Sequence, residues 1–574
     1  MRRLYVCLLT LAVCLPLAAQ KKLTLEAIYH PAERVAFGGN SQFGSEWLND
    51  REILWPKRDG TTTTLQLFDV RTGKARPFLD TTKLAAALEA AGLAAPAAKS
   101  ATARPFFTWD AAKRTLVVTA ADDLWHYDTA ANRAVRLTSA AGAEELASFS
   151  PDGRSVAFVR NDDLYAVDVA TQRERALTTG GGPKLLNGKL DWIYQEEIYG
   201  RGNFKGYWWS PDSTRIAYLQ LDESGVPEYT IVDDIDYRPH VDSYTYPKAG
   251  DPNPKAALFV VSAAGGAPVK VDDARYAGAE PLLVDVTWSP SNEVVYQVQN
   301  REQTWLDLDR ANPATGESRT LLRETTKAWV DVNGSPQFLA DGSFLWLSER
   351  TGWKHVYHHA ANGALIRPVT SGEWEARVLH GVDEKTHTVF FSGTERTNLA
   401  VDVYSIALDG TNLKRLSSEA GTHNATFSPG FTHYIDIHST LATPSQSRVH
   451  RRDGSVAQVL DANPVPALAE YGFRAPELVQ VKNRDGVVMD ATLLKPANFD
   501  PSKKYPVFQH TYAGPHIQQV RNAWMGTFGM FHQYLASQGY VVWVLDNTTA
   551  SGKGGVSAWR AYRNLGETEL RDIE

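Results

Sequence analysis

One short turn recurs along the middle of this chain and constrains its fold more than any other feature. Phe149-Ser150-Pro151-Asp152-Gly153 runs into the apolar stretch Ser155-Val156-Ala157-Phe158-Val159. Trp209-Ser210-Pro211-Asp212 leads in the same way into Arg215-Ile216-Ala217-Tyr218, Trp288-Ser289-Pro290 into Val294-Val295-Tyr296, and Phe427-Ser428-Pro429 into Tyr434-Ile435. A degenerate copy, Phe338-Leu339-Ala340-Asp341-Gly342, precedes Phe344-Leu345-Trp346. From about Trp47 to Leu460, short β-branched and aromatic runs alternate with Asp-Gly, Asn-Gly and Ser-Pro signals, which reads as strands and turns throughout. A four-stranded unit leaves apolar faces that only its neighbours can cover, and stacking such units radially also protects their edges. A single sandwich would use far fewer strands. The expected fold is therefore mainly β, a β-propeller. The copies near 150, 210 and 289 stand wider apart than the roughly 40 to 50 residues of one blade, so insertions or decayed copies lie between them. The Ala-rich stretch 84–103 reads as helix or loop.

Near Glu470 the grammar changes. Leu478-Val479-Gln480-Val481 and Met489-Asp490-Ala491-Thr492-Leu493-Leu494 flank the turn Asn483-Arg484-Asp485-Gly486, which predicts a hairpin. Tyr505-Pro506-Val507-Phe508 then predicts a buried strand, Phe528 to Ser537 an amphipathic helix stopped by Gly539, and Tyr540 to Leu545 a second buried strand. Strand, helix, strand is how a parallel α/β sheet begins.

Arg2 and Arg3 precede an apolar run from Leu4 to Leu17 and the small residues Ala18 and Ala19, the pattern of a secretory signal peptide. That run is short for a membrane span, which needs roughly 20 apolar residues. Residues 1–20 are expected to be removed, leaving no stable membrane span and a secreted, periplasmic or extracellular protein. Cys7 and Cys14 are the chain's two cysteines and both fall in this segment, so the mature chain has no disulfide, cysteine nucleophile or thiolate metal site. A net charge of -7 with scattered Lys and Arg excludes a nucleic-acid footprint.

Five stretches, in order, resemble the dipeptidyl peptidase IV branch of the prolyl oligopeptidase family. They are Asp191-Trp192-Ile193-Tyr194-Gln195-Glu196-Glu197, the aromatic Trp208-Trp209-Ser210-Pro211, Tyr246-Pro247-Lys248-Ala249-Gly250 with Asn253-Pro254, Ser348-Glu349-Arg350-Thr351-Gly352-Trp353-Lys354-His355-Val356-Tyr357, and Tyr505-Pro506 followed by Tyr512-Ala513-Gly514-Pro515. The family carries three consecutive glutamates where this chain has Gln195, Glu196 and Glu197. The resemblance implies eight blades, residues 21–45 packing with the hydrolase, a propeller over 46–470, and the first part of an α/β-hydrolase domain over 471–574. It also implies a serine-type dipeptidyl peptidase releasing Xaa-Pro or Xaa-Ala from peptides with a free N-terminus, with no cofactor or metal, and a homodimer. The enzyme alternative is a tripeptidyl or acyl-peptide hydrolase relative; the non-enzyme alternative is a propeller binding scaffold.

Chemistry agrees with those roles. A peptidase that removes dipeptides must measure from an α-amino group, cationic at neutral pH, and the paired carboxylates Glu196 and Glu197 can each accept a charge-assisted hydrogen bond from it. Tyr512 is expected to donate to the oxyanion. No G-x-S-x-G elbow is present, and Ser551 in Ala550-Ser551-Gly552-Lys553 lacks the first glycine. The Ser/Asp/His triad is thus expected beyond Glu574 and the chain itself is expected to be inactive. His510, His516 and His532 read as structural or surface residues. Asp546-Asn547-Thr548-Thr549 departs from the Arg-Gly that the family places after Asp-Asn. For the arginine that holds a substrate carbonyl, Arg136 is the nearest candidate and a poor match.

Overall fold

The computed structural model describes residues 20–40, 42–59, 62–104 and 106–574. The expected signal segment, apart from Gln20, and both cysteines lie outside these residues. Among the described residues no helix is long and apolar enough to cross a membrane.

The recurrent turn works through its serine. Ser150 Oγ accepts the Ser155 amide at 3.0 Å and donates to Asp152 Oδ1 at 2.6 Å, so the side chain closes the turn and the next strand starts in a fixed register. Ser210 repeats both bonds with Arg215 and Asp212, at 2.9 and 2.6 Å. Each turn then leans on its neighbour: the Asp152 amide donates to Ser213 Oγ and the Asp212 amide to Asn292 Oδ1.

These turns initiate the units of a ring. Eight antiparallel sheets span residues 46–77, 108–136, 145–176, 185–270, 282–325, 337–368, 376–415 and 422–461. Adjacent blades share apolar clusters. Val117 and Leu124 of the second blade pack with Val156 and Phe158 of the third, and Leu219 and Val260 of the fourth with Val286 and Tyr296 of the fifth. The ring closes where Trp47, Ile53 and Phe68 of the first blade pack against Ile435, Val449 and Leu460 of the eighth. Trp47 Nε1 donates to the Thr426 carbonyl and the Gly430 amide to Asp50 Oδ1, stitching the two ends together. Burying both faces of every blade requires the whole circle, so removing one blade would uncover apolar surface on two others.

Insertions account for the uneven turn spacing. Helices Thr81–Ala90 and Ala95–Ala101 cover the first two blades through Leu84, Leu88 and Ala98, as the Ala-rich composition predicts. In the fourth blade, an exposed hairpin of strands Glu228–Asp233 and His240–Thr245 stands between two blade strands.

After the ring, strands Glu477–Lys482 and Val488–Leu494 form the expected hairpin. Val507–His510 and Val541–Leu545 pair in parallel across helix Gly526–Ser537, with Val541–Leu545 between Val488–Leu494 and Val507–His510. One expectation needs correction: Val507–His510 is not buried. Among the described residues it pairs with one strand, and Val507 is 63% exposed. The N-terminal helix Leu25–Tyr29, capped by Thr24, packs Ala27 and Ile28 against Met530 of that crossover helix.

Candidate active site

The acidic segment is built by an unusual helical turn. Asp191 caps it, accepting the Ile193 and Tyr194 amides at 3.1 and 2.9 Å. Tyr194–Ile198 then forms a π-helix, in which the Tyr199 amide reaches back five residues to the Tyr194 carbonyl. Such widened turns recur at functional sites because they redirect consecutive side chains. Aromatic residues named separately in the sequence converge on it. Trp192 meets Tyr246 edge-on at 4.7 Å, and Tyr199 lies 5.8 Å from Trp208.

The three polar residues of the motif have different roles. Gln195 is buried, and its Oε1 accepts the Gly202 amide at 2.7 Å, closing the loop behind the turn. Glu196 is bound by Arg201, whose Nε lies 2.6 Å from Oε1; the carboxylate is 13% exposed while the guanidinium arm is 85% exposed. Glu197 has no hydrogen-bond or ion-pair partner among the described residues and lines an open cavity of about 570 Å³. The pair read from the sequence is therefore one carboxylate bonded by Arg201 and one that makes no direct bond and acts on Arg201 only through its charge.

Part of the cavity lining comes from the α/β part. Strand Val507–His510 ends in the loop Thr511-Tyr512-Ala513-Gly514-Pro515-His516, with Ala513 and His516 in the left-handed region at φ 55° and 70°. Pro515 and His516 line the cavity that Glu197 lines, together with Trp329, Asp331, Tyr562 and Arg563. Tyr512 stands three residues earlier, 56% exposed, its own ring outside that lining. The Ser348–Tyr357 motif forms part of the seam: a Cβ on Gly352 would meet Val556 Cγ1 at 2.8 Å, a close approach that glycine permits.

Other sequence candidates fall elsewhere. Arg136 is committed to Asp123 and lies over the Trp125 ring, away from the cavity lining. His510 Nδ1 contacts His532 Nε2 at 3.1 Å within the α/β part. Ser551 donates its amide to the Ile517 carbonyl. The departure at Thr548-Thr549 has its own partners: the Thr548 amide donates to Asp572 and Thr549 Oγ1 to Glu569, both at 2.6 Å. Trp329, Asp331, Tyr562 and Arg563 carried no signal in the sequence, because only the approach of two distant segments makes them neighbours. His516, read as structural or surface, stands on this wall as well.

Comparison with known proteins fits this architecture. Residues 111–445 match the family described as the dipeptidyl peptidase IV (DPP IV) N-terminal region. The chain belongs to the dipeptidyl peptidase IV family. It is thereby a DPP IV-like member of the prolyl oligopeptidase family. Dipeptidyl peptidase 4 of Trichophyton equinum is 29% identical over 453 residues, 75% of this chain and 58% of that relative. The chain thus spans less than two thirds of the curated relatives' length. The crystal structure of Porphyromonas gingivalis dipeptidyl peptidase 4 superposes with a TM-score of 0.84 at 27% identity, covering 96% of this chain and 78% of that one. A putative dipeptidyl aminopeptidase IV from Bacteroides ovatus, at 24% identity and TM-score 0.80, shares the fold.

Proposed function

We propose that this chain carries the amine-recognition part of a dipeptidyl peptidase, with Glu197 as the primary anchor for the substrate's α-ammonium and Glu196 as the second. One observation carries the reading: a carboxylate with no hydrogen bond or ion pair among the described residues lines a cavity that Pro515 and His516, of the loop bearing Tyr512, also line. A cationic amine entering that cavity gains a charge-assisted bond that an internal peptide bond cannot make. A peptide anchored there would run toward Tyr512, whose hydroxyl is the proposed donor to the oxyanion. Release of Xaa-Pro or Xaa-Ala, and serine-type chemistry, rest on family membership. The same reading assigns residues 46–470 to the propeller, 471–574 to the opening of an α/β-hydrolase domain, 21–45 to a segment packed on it, and 1–20 to a signal for secretion or the periplasm.

Calorimetry on this chain tests the anchor without requiring turnover. Gly-Pro amide is expected to bind at pH 7, N-acetyl-Gly-Pro amide is not, and Glu197→Gln is expected to weaken the former by about tenfold or more, as for a lost bond to a charged group. Equal binding of both probes, or a Glu197→Gln protein that binds like wild type, overturns the reading.

A further inference from the structure

Among the polar contacts that join the propeller to the α/β part, one lies in the lining of the cavity that Glu197 lines. His516 Nε2 lies 3.2 Å from Asp331 Oδ1, and that carboxylate oxygen also accepts the Trp329 indole N–H at 3.1 Å. The imidazole stands edge-on to Trp329 with ring centroids 5.4 Å apart. Trp329 and Asp331 belong to the propeller wall, whereas His516 ends the Tyr512 loop. His516 itself sits in the left-handed region at φ 70°.

We propose that His516 and Asp331 form a latch that positions the Tyr512 loop against the wall of the amine-binding cavity. This inference rests on the functional reading above and assigns both residues a positioning role. The loop has left the sheet at His510 and carries two left-handed residues; the chain is tied to the propeller again at Gln518, and the latch adds a tie within the loop itself, closer to Tyr512. An oxyanion donor displaced by about 1 Å loses much of its effect.

The charge state favours the latch. Hydrogen bonding to Asp331 raises the His516 pKa above its ordinary value, against the opposing effect of burial. Burial resists ionisation of Asp331, yet the bond and charge of His516 hold its carboxyl below the usual range. Glu349 and Lys354 also face the pair from the propeller, acting on His516 in opposite senses, with Glu375 behind Glu349. Arg563 and Tyr562 face it from the α/β side. His516 gains its partner in the folded state, so the latch is strongest while the imidazole is protonated and weakens as pH rises through its raised pKa.

Hydrogen exchange on the full chain tests this directly. His516→Gln and Asp331→Asn are each expected to lower protection of the Gln519 and Val520 amides, which hold the end of this loop on Asp546, about tenfold at pH 6, and the double variant to lower it no further. Asp331→Asn retains an acceptor for Trp329, so it keeps the latch testable if His516→Gln does not fold. Wild-type protection in this loop should fall as pH rises toward 9, while His516→Gln shows no such dependence; a purely structural contact would not move with pH. Both variants should also weaken Gly-Pro amide binding at pH 6. Unchanged loop protection in both variants overturns the latch. A wild-type chain that does not bind Gly-Pro amide overturns the functional reading instead, and the exchange result still judges the pair.

Discussion

Gln195 and Gly202 are joined by a 2.7 Å bond from the glycine amide to the glutamine side-chain oxygen, and this bond fixes the loop that places Arg201 on Glu196. The family's first glutamate position is thus occupied here by a residue that organises the turn. Gln195→Ala leaves the Gly202 amide without its partner beside a buried site. The expected cost is about 1–2 kcal/mol in urea unfolding. An unchanged midpoint would show that the loop stands without this bond.

Arg201 competes with any ammonium for Glu196. Its side chain is mostly in solvent, so water screens the ion pair and leaves it weak. Arg201→Gln is therefore expected to tighten Gly-Pro amide binding two- to fivefold. Weaker binding would mean that Arg201 itself contacts the ligand.

Gly352 has a φ of 87° and no room for a side chain against Val556. Gly352→Ala combines backbone strain with a clash at the seam and is expected to cost about 2 kcal/mol. Val556→Ala in the same chain should restore part of that loss. Equal melting temperatures for Gly352→Ala and wild type would refute the close approach.

Two buried groups impose opposite pH slopes on stability. Burial raises Glu349 to about 7, so the folded chain binds a proton that the unfolded chain releases near 4.5; stability is full below that point and falls as pH rises to 7. Burial, with His510 beside it, lowers His532 to about 4, so its contribution is full above 6.5 and is lost as pH falls toward 4. Each amounts to about 3 kcal/mol across its window. Glu349→Gln should stabilise the chain at pH 8 and change little at pH 4.5, whereas His532→Gln should flatten the loss between pH 6.5 and 4. Denaturant midpoints measured from pH 4 to 8 check both signs.

The propeller was legible because its signals are local. A serine that closes a turn onto the amide five residues ahead, as Ser150 does with Ser155, acts within one stretch of chain, and the apolar run that follows it is the strand itself. The acidic motif was legible as a motif, and the Trp192, Trp208 and Tyr246 stretches could be named without knowing that they surround it.

Tertiary structure alone decided what those residues do. That Arg201 bonds Glu196 and not Glu197 depends on where the loop through Gly202 returns. That Val507–His510 joins the sheet through Val541–Leu545, and not through the hairpin before it, depends on which strands pair. The pairing of Asp331 with His516, 185 residues apart, arises where ring closure sets the propeller wall against the α/β part. Turn and strand preferences are properties of a few neighbouring residues. A cavity wall instead depends on rigid packing between distant segments, and no short stretch of sequence encodes that distance.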